Sequence, residues 1–350
     1  NLYRNAIEQL ARGSSFSEIA IADQALARAQ AASQTGHAAH TTTATTADQP
    51  TSSREADPGY HLLAGGRPAL EHAIGFKAPL RFRINRWHIS LGVPGYVGAI
   101  MGLALVLLGS SLWLAGTTGI APAWLVALAL VGFLPATEVA TVFVNRMVTR
   151  RLGPVGLPGL ALDDGVPTNL RTLVVVPTLF TSEADLREHI ENLEVHHLAG
   201  AGGDLSFALL SDGLDSDTEV AQSDSHLIEV AQAAIAALNL RHGPAPGGKR
   251  FYLLHRHRRF NAGENCWMGW ERKRGKLHEL NRLLRGATDT SFMAMGDSVL
   301  PDILADVRYV ITLDADTRLP RDAALRLIGK MAHPLNQPTF SVTEQRVIGG

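Results

Sequence analysis

The sequence predicts an α/β domain of the doubly wound kind, built on a parallel sheet and preceded by a two-helix membrane hairpin and an N-terminal helical segment. Three observations predict it. Four short apolar runs in the C-terminal half alternate with helix-length segments, the pattern of a parallel sheet with helical crossovers. From Ile89 to Thr137 the chain carries no Asp, Glu, Lys, Arg or His. Finally, polar residues gather where the apolar runs end, most clearly at Asp314 and Asp316 in YVITLDADTR.

Bulk properties set the bounds. With 350 residues the chain has room for two domains, or for one domain plus membrane elements. A net charge of −1 gives no bulk attraction to nucleic acid. The single cysteine, Cys266, excludes an internal disulfide and fits a reducing compartment. The chain opens on Asn1 and stops just after the strand-like FSVTEQRVI, which reads as a fragment cut from something larger.

Residues 1–33 repeat Leu2, Ile7, Leu10, Ala11, then Ile19, Ile21, Ala25 and Leu26, at roughly helical spacing, with Ser17 as a start signal after Gly13-Ser14-Ser15. Residues 34–57 turn to Ala, Thr, Ser and Gln, the composition of a flexible linker. Residues 58–88 form a juxtamembrane segment, with a small apolar face of Leu70, Ala73 and Ile74 followed by Lys77, Arg81, Arg83 and Arg86.

Residues 89–145 are the hairpin. Two apolar segments, 91–115 and 123–144, are divided at GTTGIAP, and each has the roughly 20 residues that cross a bilayer core. Arg81, Arg83 and Arg86 precede the pair; Arg146, Arg150 and Arg151 follow it. The positive-inside rule therefore puts both ends in the cytoplasm. Trp87, Trp113 and Trp124 fall near the expected interfaces. A buried helical hairpin of a large soluble protein is the competing reading. Glu138 is the one carboxylate in the second segment, either functional or hydrated and paired near Arg146.

The α/β domain is expected over residues 168–350. RTLVVVP (171–177), LSFALLSD (205–212), RFYLLHR (250–256) and VRYVITLDAD are read as its strands, the last as a strand buried on both faces. Helices are expected at 182–198, where Ser182 to Asp185 spells a capping box, and at 226–240, 276–284 and 320–331. Pro177 and Thr178, Ser211 and Asp212, His255 and Arg256, and Asp314 and Asp316 then end the four strands. Side chains at the carboxyl ends of parallel strands converge on one crevice, where open α/β sheets bind their ligands.

Asp314 and Asp316 offer two hard oxygen donors that suit a divalent cation bridging to a diphosphate. The alternative is an acidic loop capping the next helix, with Asp316 or Thr317 as N-cap before Pro320. The basic stretch 255–276, with Trp267 and Trp270, suits the phosphates of a nucleotide, since Arg and Lys complement phosphate oxygens. A nucleic-acid patch and a merely solvated basic loop are the rivals. The acidic run Asp212, Asp215, Asp217, Glu219 lacks the glycine of an EF-hand loop.

RTLVVVPTLFTS, LEVHHLA, FALLSD, RFNAGENCWMGWERKRGKLHELNRLLRGATDTSF, VRYVITLDADTRLP and MAHPLN together resemble the glycosyltransferase domain of the cyclic β-1,2-glucan synthases, bacterial inner-membrane enzymes of the GT-A fold. The resemblance covers about residues 171–345, and less distinctively the segments before them. It implies an incomplete, Rossmann-like GT-A domain that faces the cytoplasm on a multi-pass inner-membrane protein. It also implies inverting glucosyl transfer from UDP-glucose to a growing β-1,2-glucan acceptor. Asp314 and Asp316 would hold Mg²⁺ or Mn²⁺, with Asp314 also near the donor. Asp212 would approach uracil and ribose, and Pro177 and Thr178 would line the uracil pocket. Lys276 and Asn281 would sit beside the nucleotide and Arg256 at the donor. The partners implied are donor, acceptor, lipid bilayer and the remaining domains of a full-length synthase, with no nucleic acid.

An inverting transferase needs a general base for the acceptor hydroxyl. Glu344 has no supporting motif, so the base is expected beyond Gly350, and the fragment would bind donor without completing transfer. Two rival functions remain. A haloacid-dehalogenase-type phosphatase also ends a strand in DxD, but expects Thr or Val where this chain has Arg318. A non-catalytic membrane scaffold predicts no metal-dependent nucleotide affinity.

Overall fold

The computed structural model describes residues 1–39, 54–152, 156–200, 202–293 and 306–349. These divide into two compact units, residues 1–157 with 339–346, and residues 158–338 with 347–350. Most of the linker expected at 34–57 lies outside the described residues.

The first unit opens with helices α1 (Leu2–Arg12) and α2 (Glu18–Ala39), followed by the short α3 (Pro58–Leu63) and α4 (Arg67–Ala73). Helix α2 runs six residues beyond the expected boundary, through Gln34 to Ala39. Ala6, Leu10, Ile21, Ala25, Leu62, Leu70 and Ile74 make a closed core. Ala73, expected on that face, is exposed instead. Asp57 caps α3 through Gly59 N (2.7 Å) and accepts from the Tyr3 hydroxyl at 2.6 Å. Glu71 is buried and held by Arg67 (2.8 Å) and Arg86 (2.8 and 2.5 Å).

Two long helices follow, α5 (Leu80–Gly116) and α6 (Pro122–Leu152). Their apolar stretches, Ile89–Gly116 and Pro122–Arg151, are long and apolar enough to cross a membrane, and nearly all of their residues are at least partly exposed. A core hairpin of a soluble protein would bury these side chains, so this exposure argues against the competing reading. The first segment is not one straight helix. Gly92 sits at φ 53°, ψ −141°, two residues before Pro94, whose ring cannot continue the hydrogen-bond ladder. Close contact between α5 and α6 uses small residues: a Cβ on Gly132 would lie 3.0 Å from Leu108, and Ala104 and Ala140 are buried. The Tyr96 hydroxyl donates to Asn145 Oδ1 at 2.6 Å. Glu138 is exposed.

The second unit is the α/β domain. Strands β1 (Thr172–Phe180), β2 (Leu205–Gly213), β3 (Phe251–His255) and β6 (Tyr309–Thr312) form a parallel sheet in the order β3-β2-β1-β6. Alternation along the strands separates two cores. Val174, Val176, Phe180, Phe207, Leu209, Phe251 and Leu253 face α7 (Glu183–Leu198), α8 (Asp224–His242) and α10 (Ala323–Ala332). Leu173, Val175, Ala208, Leu210, Tyr252 and Leu254 face α9 (Arg272–Leu283) through Leu280 and Leu283. Each such large apolar side chain contributes about 1.5–3 kcal/mol by leaving water. The chain winds outward from β1 to β3, then crosses to the other side of β1. With a fixed crossover hand, that reversal moves the connecting helix α9 to the opposite face.

Several boundaries differ from the sequence expectation. β1 continues to Phe180, so Pro177 and Thr178 lie inside it rather than at its end. Pro177 is tolerated because β6 pairing stops at Val175–Thr312, leaving no ladder bond for a prolyl nitrogen to break on that side. β6 is half-buried rather than buried on both faces. Helix α10 begins after Asp322, so neither Asp316 nor Thr317 is its N-cap. Within the expected basic loop the chain forms a small antiparallel hairpin, β4 (Arg259–Asn261) with β5 (Cys266–Met268). Two further short strands, β7 (Thr339–Ser341) and β8 (Arg346–Gly349), end the described chain.

Candidate functional site

The sheet order places its switch point between β1 and β6, where neighbouring connections leave in opposite directions. Leu313 N still bonds to Val175 O at 3.0 Å, but beyond it the chain leaves the sheet while β1 runs on beside β2. The gap so created is a cleft of about 580 Å³. Pro177, Thr178, Asp212, Lys276 and Asp316 all line it, together with Gly213, Gly269, Arg272 and Lys273. Its other wall is one face of α7, with Asp185, Glu188, His189 and Asn192 at helical spacing.

Asp212 is the best-anchored carboxylate in the cleft. It is buried at the end of β2, and the Arg256 guanidinium grips both its oxygens, Nε to Oδ1 at 2.7 Å and Nη2 to Oδ2 at 2.9 Å. The Lys276 ammonium lies 3.0 Å from Oδ2 and donates to the Thr178 carbonyl at 2.5 Å. Burial lowers the Lys276 pKa, and the Asp212 charge opposes that shift. Lys276 therefore joins the ends of β1 and β2 from the first turns of α9.

Arg256 has no exposed side-chain surface. Besides Asp212 it donates to the Trp270 carbonyl and the Arg272 carbonyl at 3.2 Å, and reaches Glu279 Oε2 at 3.4 Å. Its reach is to Asp212 and the turn before α9, and it does not line the cleft. Asn281 is exposed on α9 and likewise lies outside the cleft lining. Asp314 is exposed beside the cleft and paired with Lys273.

The turn that Arg256 holds is tightly built. Glu271 and Arg272 both have left-handed backbone, φ 46° and 48°. A Cβ on Gly269 would stand 2.6 Å from the Asp212 carboxylate, and one on Gly275 would stand 1.8 Å from the Trp270 carbonyl. Arg258 organises the loop after β2: it pairs with Asp224 and donates to the Leu214 carbonyl at 2.5 Å. In the acidic run, Asp215 is bonded to Arg272 at 2.7 Å. Asp215, Glu264 and Cys266 place ligand atoms within 4.8 Å of one another, but Arg272 already supplies a cation there, 3.7 Å from Glu264.

Two buried polar groups stand out. The Thr178 hydroxyl is buried in the cleft lining and has no hydrogen-bond partner, an arrangement that a ligand's polar group relieves. His255 bonds to Ser211 Oγ through Nδ1 at 2.9 Å and stacks on Phe180; burial pushes its pKa down to about 4.

Sequence reasoning did not single out Arg272, Lys273, Gly269 or the α7 face. Arg272 and Lys273 were legible only as members of the basic stretch. Nothing in the pattern of α7 separates its cleft-facing polar residues from its solvated ones.

No family model matches the chain. All of it aligns, at 39% identity over 356 residues, with the cyclic beta-(1,2)-glucan synthase NdvB of Rhizobium meliloti (strain 1021). The chain is thus similar throughout to a bacterial glucan synthase, of which it spans 12% of the length.

Proposed function

We propose that the cleft is the donor site of a GT-A-type inverting glucosyltransferase, which takes glucose from UDP-glucose for β-1,2-glucan synthesis. The observation that carries this reading is the meeting of a DxD carboxylate, a basic wall and an unpartnered buried hydroxyl in one cleft at the sheet's switch point. The synthase relative supports the product class.

In this reading Thr178 and Pro177 receive the base, and Asp212, fixed by Arg256 and Lys276, faces the ribose. Arg272 and Lys273 flank the diphosphate. Asp314 and Asp316 fit a Mg²⁺ or Mn²⁺ ion: both are exposed oxygen donors one residue apart, and Asp314 already attracts a cation, the Lys273 ammonium. When bound, the metal supplies charge neutralisation on the departing diphosphate. The protein's own contribution is orientation, since Asp212 and Lys276 are held by buried partners before any ligand arrives. The base that deprotonates the acceptor is assigned to other parts of a synthase, as are the acceptor site and the ring-closing steps. Both ends of the hairpin face the cytoplasm, where nucleotide sugars are available.

Titrating UDP-glucose and UDP into the detergent-solubilised chain tests this directly. Binding is expected with Mn²⁺ and not without it, and the double variant Asp314→Ala/Asp316→Ala should lose it. A well-folded chain and a full-length protein that both ignore UDP would leave the scaffold reading in place.

A further inference from the structure

We infer that Lys273 is the resident counter-cation of the DxD, neutralising Asp314 until a divalent cation arrives and then turning to the nucleotide's diphosphate. This inference rests on the donor-site reading above. Lys273 Nζ pairs with Asp314 Oδ1, joining the start of α9 to the end of β6. The two side chains keep 52% and 58% of their surface in solvent. A pair so exposed shifts an equilibrium by about fivefold at most, so an incoming divalent cation can displace it.

The other cations of the cleft cannot take this part. Lys276 is buried between Asp212 and the Thr178 carbonyl. Arg272 is held by Asp215 and Glu264. Among the described residues, Lys273 alone of the cleft-lining lysines and arginines combines an exposed head with a carboxylate of the DxD as its partner.

Its backbone is fixed while its side chain is free to move. The residue follows the left-handed pair Glu271 and Arg272, and the Arg272 carbonyl accepts from buried Arg256 at 3.2 Å. Only the flexible four-carbon stem needs to swing. Once a divalent ion sits at Asp314, like-charge repulsion drives the ammonium away. The nearest new anion is then the diphosphate.

The role predicts opposite effects on two affinities. The detergent-solubilised chain is compared as wild type, Lys273→Met and Lys273→Arg, reading Mn²⁺ binding alone by electron paramagnetic resonance and UDP binding at saturating Mn²⁺ by calorimetry. Lys273→Met is expected to bind Mn²⁺ about three- to fivefold more tightly, having lost a competitor, and UDP about tenfold more weakly, having lost a charge-assisted hydrogen bond to the diphosphate. Lys273→Arg should stay within about twofold of wild type on both. Affinities that move in the same direction, or that both stay within about 1.5-fold of wild type in Lys273→Met, overturn the inference. A wild-type chain that binds no UDP with Mn²⁺ overturns instead the donor-site reading beneath it.

Discussion

Arg256 shows how one buried residue can decide the geometry of a cleft it does not line. Its guanidinium pairs with Asp212 and Glu279 and gathers the carbonyls of Trp270 and Arg272, so a strand end and a strained turn share one anchor. Removing it leaves two buried carboxylates, with Lys276 as the main remaining partner of Asp212. Arg256→Met is expected to destabilise the α/β unit by about 3–5 kcal/mol, the usual penalty for an uncompensated buried charge. A lowered urea midpoint would show it; an unchanged midpoint would mean that the network relaxes with little loss. Arg256→Lys should recover part of the stability but not the two-pronged grip on Asp212.

At the scale of elements, helix α7 is sealed against the sheet by histidine. His197 packs edge-on to Phe207 of β2, Phe251 of β3 and His242 of α8, with ring centroids 5.7, 5.4 and 4.7 Å away. Burial, helped by the nearby Arg250 and His242 charges, lowers its pKa to about 4, while Glu194 pulls the other way. His255, at the end of β3, is lowered to about 4 as well. Both are neutral when folded and protonate near 6.5 when unfolded. The unfolded chain therefore binds more protons between about pH 6.5 and 4, and stability falls as pH drops through that window. Thermal melts across this range should show the decline, and His197→Phe should make it shallower, leaving the share of His255. A pH-independent midpoint would sink the assignment. Asp224 adds in the same direction lower down: burial opposes its ionisation, but the Arg258 hydrogen bonds prevail and hold its pKa below the ordinary value.

At the scale of the whole molecule, the single cysteine provides a reporter of sidedness. Cys266 lies on the small hairpin β4–β5 and is partly exposed. Partial burial and the neighbouring Asp215 and Glu264 raise its pKa, so labelling is expected to be slow at neutral pH. On the proposed topology, an impermeant maleimide added from the periplasmic side should leave Cys266 unmodified until the bilayer is opened. Labelling in sealed cells would reverse the orientation assigned to the hairpin. The same preparation should stay with the membrane pellet after an alkaline wash, since most of the apolar surface of α5 and α6 is exposed.

Much of this molecule is legible in one dimension because its signals are local. A charge-free stretch specifies apolar helices whatever surrounds them, and the alternation of apolar runs with amphipathic segments specifies a parallel sheet. Asp212, Asp314 and Asp316 are visible because strand ends are visible. Tertiary structure alone decided how these residues are used. Arg256 and Lys276 are two cations of one basic stretch, and neither spacing nor residue type reveals that both converge on Asp212. Helix α9 begins at Arg272 rather than at Lys276, and that extra turn brings Lys273 to Asp314 from 41 residues away. Propensity and periodicity act over a few neighbours, whereas the pairing of buried charges depends on which loops the sheet order brings together.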